Sequence, residues 1–565
     1  MTRKTSPNKF HPSVNLYRLS VKRTAGLTVL MTVFSLLFCP SYVLMLINSE
    51  LKYSMNNAAV KTVDFANMCP DIIFFVAITG TAVALLYLFI NFSFLYSRSA
   101  SDFFHALPVK RGGLLFSRFF ASITPVLIPM TLVYASMAII TEMKSVNGNI
   151  KTVIFGFAAN VLITVMCCAF SLIFIVCAGS IFDLLISFST FNIGIIVVQL
   201  INVSLCREFL FGYPSASFHT LFSVSSPFYY AFSGLLRFLT DFTPDKAMLW
   251  YGIKLIAVTA VSLTAAFLLY NRRRSEKSGV SCAYRFIYVI CGLIVGFIGA
   301  YGLGFIFADG EYTAVYWIFA AIGAFLAAVT YGAINDRCFK TVKKSLVIGG
   351  SSLAAMVIAV LIFKVGLFGY SGRIPNTEDI KYARISVSDN SGITLNNPQN
   401  ILKLHEEIIE NKGDESEFDG YIIDIEYSLK NGRSLKRQYT ANYKKHLNTI
   451  LSIYKSDEYR AGLEKMLDEN NFKHISAYYY RQDREESVSP EISTEELKLI
   501  TDAYIKDLKN AAGGAVTGEN SDLLQIHAWS KITNGFINYN FYIEKGFKNT
   551  AEVLDSLKLY ERVSE

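Results

Sequence analysis

Between Ala25 and Leu367 the chain alternates long apolar runs with short polar breaks. A helix needs roughly 20 mostly apolar residues to cross the hydrocarbon core of a bilayer. Nine runs predict such spans: Ala25–Ile47, Ile72–Tyr96, Leu114–Met137, Ile154–Ala178, Leu184–Val203, Leu249–Tyr270, Phe286–Phe307, Tyr316–Ile334 and Leu346–Leu367. Pro40 predicts a kink in the first, and Pro125 and Pro129 in the third. Between the fifth and sixth, Ser204–Met248 contains "SPFYYAFSGLLRFL", too short to span and broken by Pro227 and Gly234. That is the pattern of a re-entrant or interfacial helix.

From Ser371 onward the pattern changes. Tyr421, Ile423, Ile425, Tyr427 and Leu429 alternate with polar or outward positions, which predicts a strand with one buried face. Asn431-Gly432 predicts a type I′ turn with both residues at positive φ, returning a second strand from Arg433. Ile401, Leu404 and Ile408 mark an amphipathic helix, and Ser493 with Glu496 forms a capping box before "LKLITDAYIKDL". "INYNFYI" alternates again. The tail reads as a compact α+β domain with an antiparallel sheet.

Composition supports this division. Of 565 residues, 52% are hydrophobic and 17% charged, against about 25% charged in soluble chains, and the mean hydropathy is +0.36. The polar N-terminus lacks a cleavage site after the first apolar run, so that run reads as a retained span. With the N-terminus inside, nineteen lysines and arginines flank the inner ends of the spans and seven lie in the outer segments before the tail. This bias sets the orientation, and nine spans then place the tail outside the cell. All nine cysteines precede the tail. Cys69 and Cys206 both fall on the outer side and could pair, but the sequence favours reading them as unpaired apolar thiols.

Little points to catalysis. The seven histidines show no H-E-x-x-H spacing and there is no G-x-S-x-G. "SDN" (388–390) and "SIYK" (452–455) imitate penicillin-binding motifs in reversed order and without K-T-G. "YYYR" (478–481) could contact sugars or peptides, though the usual reading is strand aromatics packed on a sheet. Within the spans Lys254 lies near an outer end, where it can snorkel, and no relay of buried acids marks ion-driven transport. No phosphate-binding G-x-x-x-x-G-K-[ST] loop exists, so the chain holds no cofactor and hydrolyses no nucleotide by itself. No metal site and no nucleic-acid partner is expected, and a transport function needs an energised partner.

The polar break after the second run is "SDFFHALPVKRGGLLFSR", residues 101–118. It resembles the cytoplasmic loop of ABC-2 type transporter permeases, where a short coupling helix ends in Leu-Pro-Val plus basic residues. "LYNRRRSEKSG" (269–279) is similar to the run closing the six-span core in a Gram-positive branch of that family. "IPNTEDIKYARIS", "IEYSLKNGRSLKRQY" and "KNTAEVLDSLKLYE" in the tail resemble the extracellular domain of the same permeases.

The resemblance implies a polytopic α-helical membrane protein of about nine transmembrane helices. It would comprise a cytoplasmic N-terminus with an amphipathic elbow helix (1–24), a six-helix ABC-2 type core (25–274), three additional helices (275–367) and a C-terminal α+β extracellular domain (371–565). It further implies a permease subunit in the plasma membrane, paired with a second permease subunit and with cytoplasmic ABC ATPase subunits that bind the ATP. Phe103, Phe104 and Leu107 would form an apolar knob docking into the ATPase. Asp102, His105, Lys110 and Arg111 would border it, the charged ones setting a rim, and Pro108 would end the short helix. The elbow helix would carry Val14, Tyr17 and Val21 on one face and Arg18 and Lys22 on another. Ser180 and Asp183 would belong to a minor coupling turn. The plainer reading is that Lys110 and Arg111 are topology charges and the phenylalanines touch headgroups. A different class of function is a membrane-anchored sensor or resistance component whose outer domain binds a peptide or antibiotic.

Overall fold

The computed structural model describes residues 13–56, 70–143, 150–214, 226–241, 246–279, 282–308, 311–337, 342–367, 369–388, 390–411, 420–467, 472–482, 486–490, 492–511, 515, 521–530 and 535–559. Cys69 and Cys338 lie outside them. Contacts divide the chain into two compact units: Met1–Asn202 with Phe218–Ala359, and Val203–Ser217 with Val360–Glu565.

The first unit is helical. Its elements are α1 (Val14–Asn56), α2 (Pro70–Phe92), α3 (Arg98–Ala106), α4 (Arg111–Met143), α5 (Ile150–Cys177), α6 (Ile181–Ser189), α7 (Ile195–Phe209, ending in the second unit), α8 (Pro227–Asp241), α9 (Lys246–Arg272), α10 (Arg285–Phe307), α11 (Ala314–Asp336) and α12 (Val342–Lys364, also ending in the second unit). A π-helical turn, Thr190–Gly194, joins α6 and α7 into one apolar rod. Among the described residues nine helical segments are long and apolar enough to cross a membrane, matching the nine runs of the sequence. The chain is thus a multi-pass membrane protein by its helices. Helices α1 and α4 continue through Pro40 and through Pro125 and Pro129.

The short apolar stretch after the fifth span is α8. It packs on α2, α5 and α9, and the Tyr251 hydroxyl donates to the Ala231 carbonyl oxygen at 2.5 Å. Helices α10 and α11 are held by small residues. A Cβ on Gly299 would lie 2.5 Å from Ala327 Cβ and 2.7 Å from the Gly323 carbonyl oxygen. Lipid supplies no hydrophobic drive between helices, so such close approach provides the packing.

The N-terminal segment differs from expectation. Val14–Lys22 is not a separate elbow but the first turns of α1, which runs on to Asn56. Leu16, Ser20 and Thr24 are its buried positions, Tyr17 and Val21 are half-buried, and Val14, Arg18 and Lys22 are exposed.

The second unit holds two four-stranded antiparallel sheets where one was expected. Its elements are β1 (Ile380–Val387), β2 (Ile393–Leu395), α13 (Gln399–Glu410), β3 (Gly420–Leu429), β4 (Ser434–Asn442), α14 (Tyr443–Tyr454), α15 (Asp457–Met466), β5 (Phe472–Arg481), β6 (Glu486–Val488), α16 (Thr494–Asp507), β7 (Ser521–Ser530), β8 (Gly535–Glu544) and α17 (Lys548–Leu557). The sheet orders are β2-β1-β3-β4 and β6-β5-β7-β8. Hairpin, helix, hairpin and helix recur in the same order, so the domain is two copies of one ββαββα plan. The β1–β2 loop ties the copies together: Ser391 N donates to the Asn538 carbonyl oxygen at 2.7 Å, and Asn540 N donates to Asn390 Oδ1 at 2.7 Å. Asn390 of the "SDN" stretch thus has a structural role, while Asp389 lies outside the described residues.

The β3–β4 hairpin forms, but with a different turn. Only Gly432 has positive φ (79°) and Asn431 does not. Gly432 N donates to the Leu429 carbonyl oxygen at 3.0 Å, and Ser428 pairs with Ser434. This is a three-residue loop whose last residue is left-handed, the common alternative to a two-residue primed turn. Asn431 instead accepts from Arg433 N through its side chain at 3.0 Å. The capping box at Ser493 and Glu496 is present.

Candidate functional site

The polar break after the second span folds as α3 followed by an extended turn. Leu107 is extended (φ −64°, ψ 145°), as a residue before proline must be, so the helix stops at Ala106. The helix has one inward and one outward face. Ser101 is buried, Phe104, His105 and Leu107 are half-buried, and Asp102, Phe103, Pro108 and Lys110 are exposed.

The two phenylalanines therefore separate. Phe103 is 64% exposed. Phe104 turns inward, its ring edge-on to Phe94 at 4.9 Å. The guanidinium of the buried Arg118 sits over both rings, 4.1 Å from the Phe104 centroid and 4.2 Å from that of Phe94. Such a desolvated cation–π pair contributes about 2 kcal/mol. The same guanidinium donates to the Asn91 carbonyl oxygen. The expected apolar knob is Phe103 alone, and Phe104 anchors the helix.

The charged rim is also altered. Lys110 is free in solvent, but Arg111 Nη1 donates to the carbonyl oxygens of Asn271 at 3.1 Å and Arg273 at 2.6 Å. Arg111 thereby satisfies the end of α9, where carbonyls lack helical partners. His105 bridges: Nδ1 faces Ser101 Oγ at 3.4 Å and Nε2 faces the Tyr270 hydroxyl at 3.2 Å. Burial, then the nearby charges of Arg111 and Arg273, hold this imidazole below its ordinary pKa, with Asp102 opposing. Neutral His105 suits a bridge that both accepts and donates.

The hub is Arg273, which sequence reasoning counted only as a topology charge. It is 2% exposed. Its Nη1 donates to Val176 and Ala178 carbonyl oxygens at 2.5 and 2.7 Å, and its Nη2 donates to the Leu95 carbonyl oxygen at 2.9 Å. One side chain thus ties the ends of α2 and α5 to the end of α9. Nothing in "NRRRSEK" distinguishes the buried arginine from its exposed neighbours Arg272 and Arg274. Across the same junction Arg98 Nη2 reaches the Glu276 carbonyl oxygen at 3.4 Å.

The minor turn joins this assembly. Gly279 N donates to the Gly179 carbonyl oxygen at 2.9 Å. Ser180 caps α6 by accepting from Asp183 N at 3.2 Å, and Asp183 Oδ2 accepts from Gly179 N at 2.8 Å. Ser180 and Asp183 are both buried, so they shape the turn and present nothing outward. Ile181 and Phe182, more than half exposed, are its outward residues. A serine followed three residues later by an acid is a cap signature, which makes that inward role readable from sequence.

Three loops far apart in the chain thus form one braced end. Its exposed residues include Phe103, Asp102, Lys110, Arg272, Arg274 and Lys277. Among the described residues no group of histidine, cysteine and acidic side chains is placed to hold a metal.

Residues 427–520 match a family model described as a domain of unknown function, DUF6449. The match begins late in β3 and stops before β7, so it takes in parts of both copies of the ββαββα plan. No curated protein matches the chain, and no solved structure does.

Proposed function

We propose that this chain is the permease subunit of an ABC-2 type exporter, moving its substrate on ATP hydrolysed by a separate cytoplasmic ATPase. In this reading the six spans up to Arg274 form the transport core and the three from Arg285 are additional. The N-terminus and α3 face the cytoplasm of a plasma membrane, and the second unit lies outside the cell. The observation that supports it best is the mounting of α3. A nine-residue helix offers one exposed aromatic, Phe103, while its inner face is fastened by Phe104, His105 and the neighbouring Arg111 to the ends of α4 and α9. A partner pushing on Phe103 would therefore move span ends directly, because force passes through buried contacts and main-chain hydrogen bonds. A loop carrying only topology charges needs no such bracing.

The test uses Phe103→Ala in the full chain. Removing an exposed anchor leaves the fold intact and removes about 2 kcal/mol from a buried interface. The variant should insert and melt like the parent, yet capture less of its native ATPase from membranes and stimulate it less. Undiminished capture and activity would refute the docking role. Phe104→Ala, by contrast, should loosen α3 itself.

A further inference from the structure

Three helix ends meet in the first unit: the start of α10, the end of α11 and the start of α12. Beside them lies the 3-10 turn Ser275–Lys277. Between these ends is a cavity of about 540 Å³. Its walls are sorted along the helix axes. Lys277, Arg285 and Lys344 line the end at the span termini, and all three are exposed. The one acid there is Asp336, which accepts from the Tyr288 hydroxyl at 3.3 Å. Further along α10 and α12 the wall turns apolar, with Leu293, Val347 and Ile348. Val347 is 69% exposed.

Basic residues at span ends are routine topology signals, and Arg337 and Lys343 are such residues outside this cavity. What distinguishes Lys277, Arg285 and Lys344 is convergence from three elements onto one space that continues into an apolar slot. A soluble anion has no use for the slot. A neutral lipid has no use for three cations.

We propose that this cavity binds an anionic glycerophospholipid. Its phosphate lies among Lys277, Arg285 and Lys344, and one acyl chain runs along Leu293, Val347 and Ile348. Asp336 accepts hydroxyl donors, which favours a headgroup bearing glycerol. The site needs only that these helices span a bilayer and is independent of any ATPase.

The test is native mass spectrometry of the full chain released from nanodiscs of mixed phosphatidylglycerol and phosphatidylcholine. The parent should retain phosphatidylglycerol preferentially. Arg285→Gln with Lys344→Gln should weaken that retention, by about five-fold for each charge removed. Arg337→Gln with Lys343→Gln, which removes two neighbouring charges outside the cavity, should leave it unchanged. Ser351→Trp keeps every charge and fills the apolar slot, which Ser351 lines; it too should abolish retention, and it decides the matter should the charge variant fail to fold. Equal loss in both charge pairs would mean unspecific attraction and overturn the proposal. Displacement of the lipid by inorganic phosphate, with Ser351→Trp behaving like the parent, would overturn it in favour of a soluble anion.

Discussion

Nη1 of Arg111, the first residue of α4, donates to the carbonyl oxygen of Arg273, the residue just past α9, at 2.6 Å. Arg273 in turn spends its own guanidinium on carbonyls at the ends of α2 and α5. The two arginines make a chain of main-chain caps across four span ends. Each arginine compensates for its charge by binding oxygens that lipid and protein would otherwise leave unpaired.

Arg273→Gln tests this junction. A glutamine reaches fewer of these carbonyls and leaves buried oxygens without donors, at about 1–3 kcal/mol each. The variant should unfold at a lower temperature in detergent and, on the proposed function, respond less to the ATPase, even though it does not touch the exposed face. Arg274→Gln, one residue on and exposed, should leave the melting temperature unchanged.

Orientation follows from the proposed function. Lys403, on α13, has a side chain 68% exposed, so a cysteine there is reachable without disturbing the domain. Lys403→Cys should react with an impermeant maleimide on intact cells, and Lys110→Cys only after lysis. The reverse order would invert the topology. Ser391 is a poor position for such a label, because its Oγ accepts from Asn538 N at 3.0 Å.

The second unit uses residues ahead of β1, its contacts reaching back to Val360. Arg437, 1% exposed, lies with its guanidinium 4.0 Å from the Tyr370 ring centroid and donates to the Tyr370 carbonyl oxygen at 2.9 Å. A fragment starting at residue 369 keeps these partners, whereas one starting at 375 leaves a buried guanidinium without them. The longer fragment should be more stable by about 2 kcal/mol in urea unfolding. Equal stability would mean that Arg437 finds other partners.

Acid should weaken the same domain through His405. This imidazole is fully buried, with Nδ1 3.1 Å from the Tyr427 hydroxyl and Nε2 2.7 Å from that of Tyr439. Burial, and then the charge of Arg437, lower its pKa from 6.5 to about 4. The unfolded chain therefore binds the proton first, so stability is lost as pH falls from about 6.5 towards about 4, by up to about 1.4 kcal/mol per pH unit. Buried His446, also held low chiefly by burial, acts in the same sense. Asp424, raised by burial, acts in the opposite sense at the acid end. The contribution of His405 is thus the difference in slope between the parent fragment and His405→Gln, measured by denaturant unfolding from pH 7 to 5. Identical slopes would exclude it.

The long elements were legible in the sequence because their signals are local. A run of some 20 apolar residues has one economical fate in a bilayer, since a helix satisfies its own main chain. Each of the nine runs lies within, or within a few residues of, a helical segment of the structure. Alternation in β3, the Ser493–Glu496 cap and the β3–β4 hairpin, though not its turn type, were legible for the same reason. The stretch 101–111 was also legible as a short helix stopped before Pro108.

Which side of that helix faces a partner was decided by tertiary structure alone. Phe103 and Phe104 are identical in composition and adjacent in sequence, yet Arg118 and Phe94 claim one ring and leave the other exposed. Arg273 is buried and Arg272 and Arg274 are not, because only its side chain reaches the carbonyls at the ends of α2 and α5. The type I′ expectation at Asn431 failed because a three-residue loop lets Asn431 bond through its side chain and leaves the left-handed conformation to glycine. The doubling of the ββαββα plan appears only when strand order is known, since pairing partners lie tens of residues apart and periodicity within one strand carries no record of its neighbour. What the sequence alone determined is therefore which long apolar runs become helices and where the alternating strand, the cap and the hairpin of the second unit fall. Which charges serve as caps and which face outward was settled by packing, because that choice depends on distances between residues that the chain brings together only when folded.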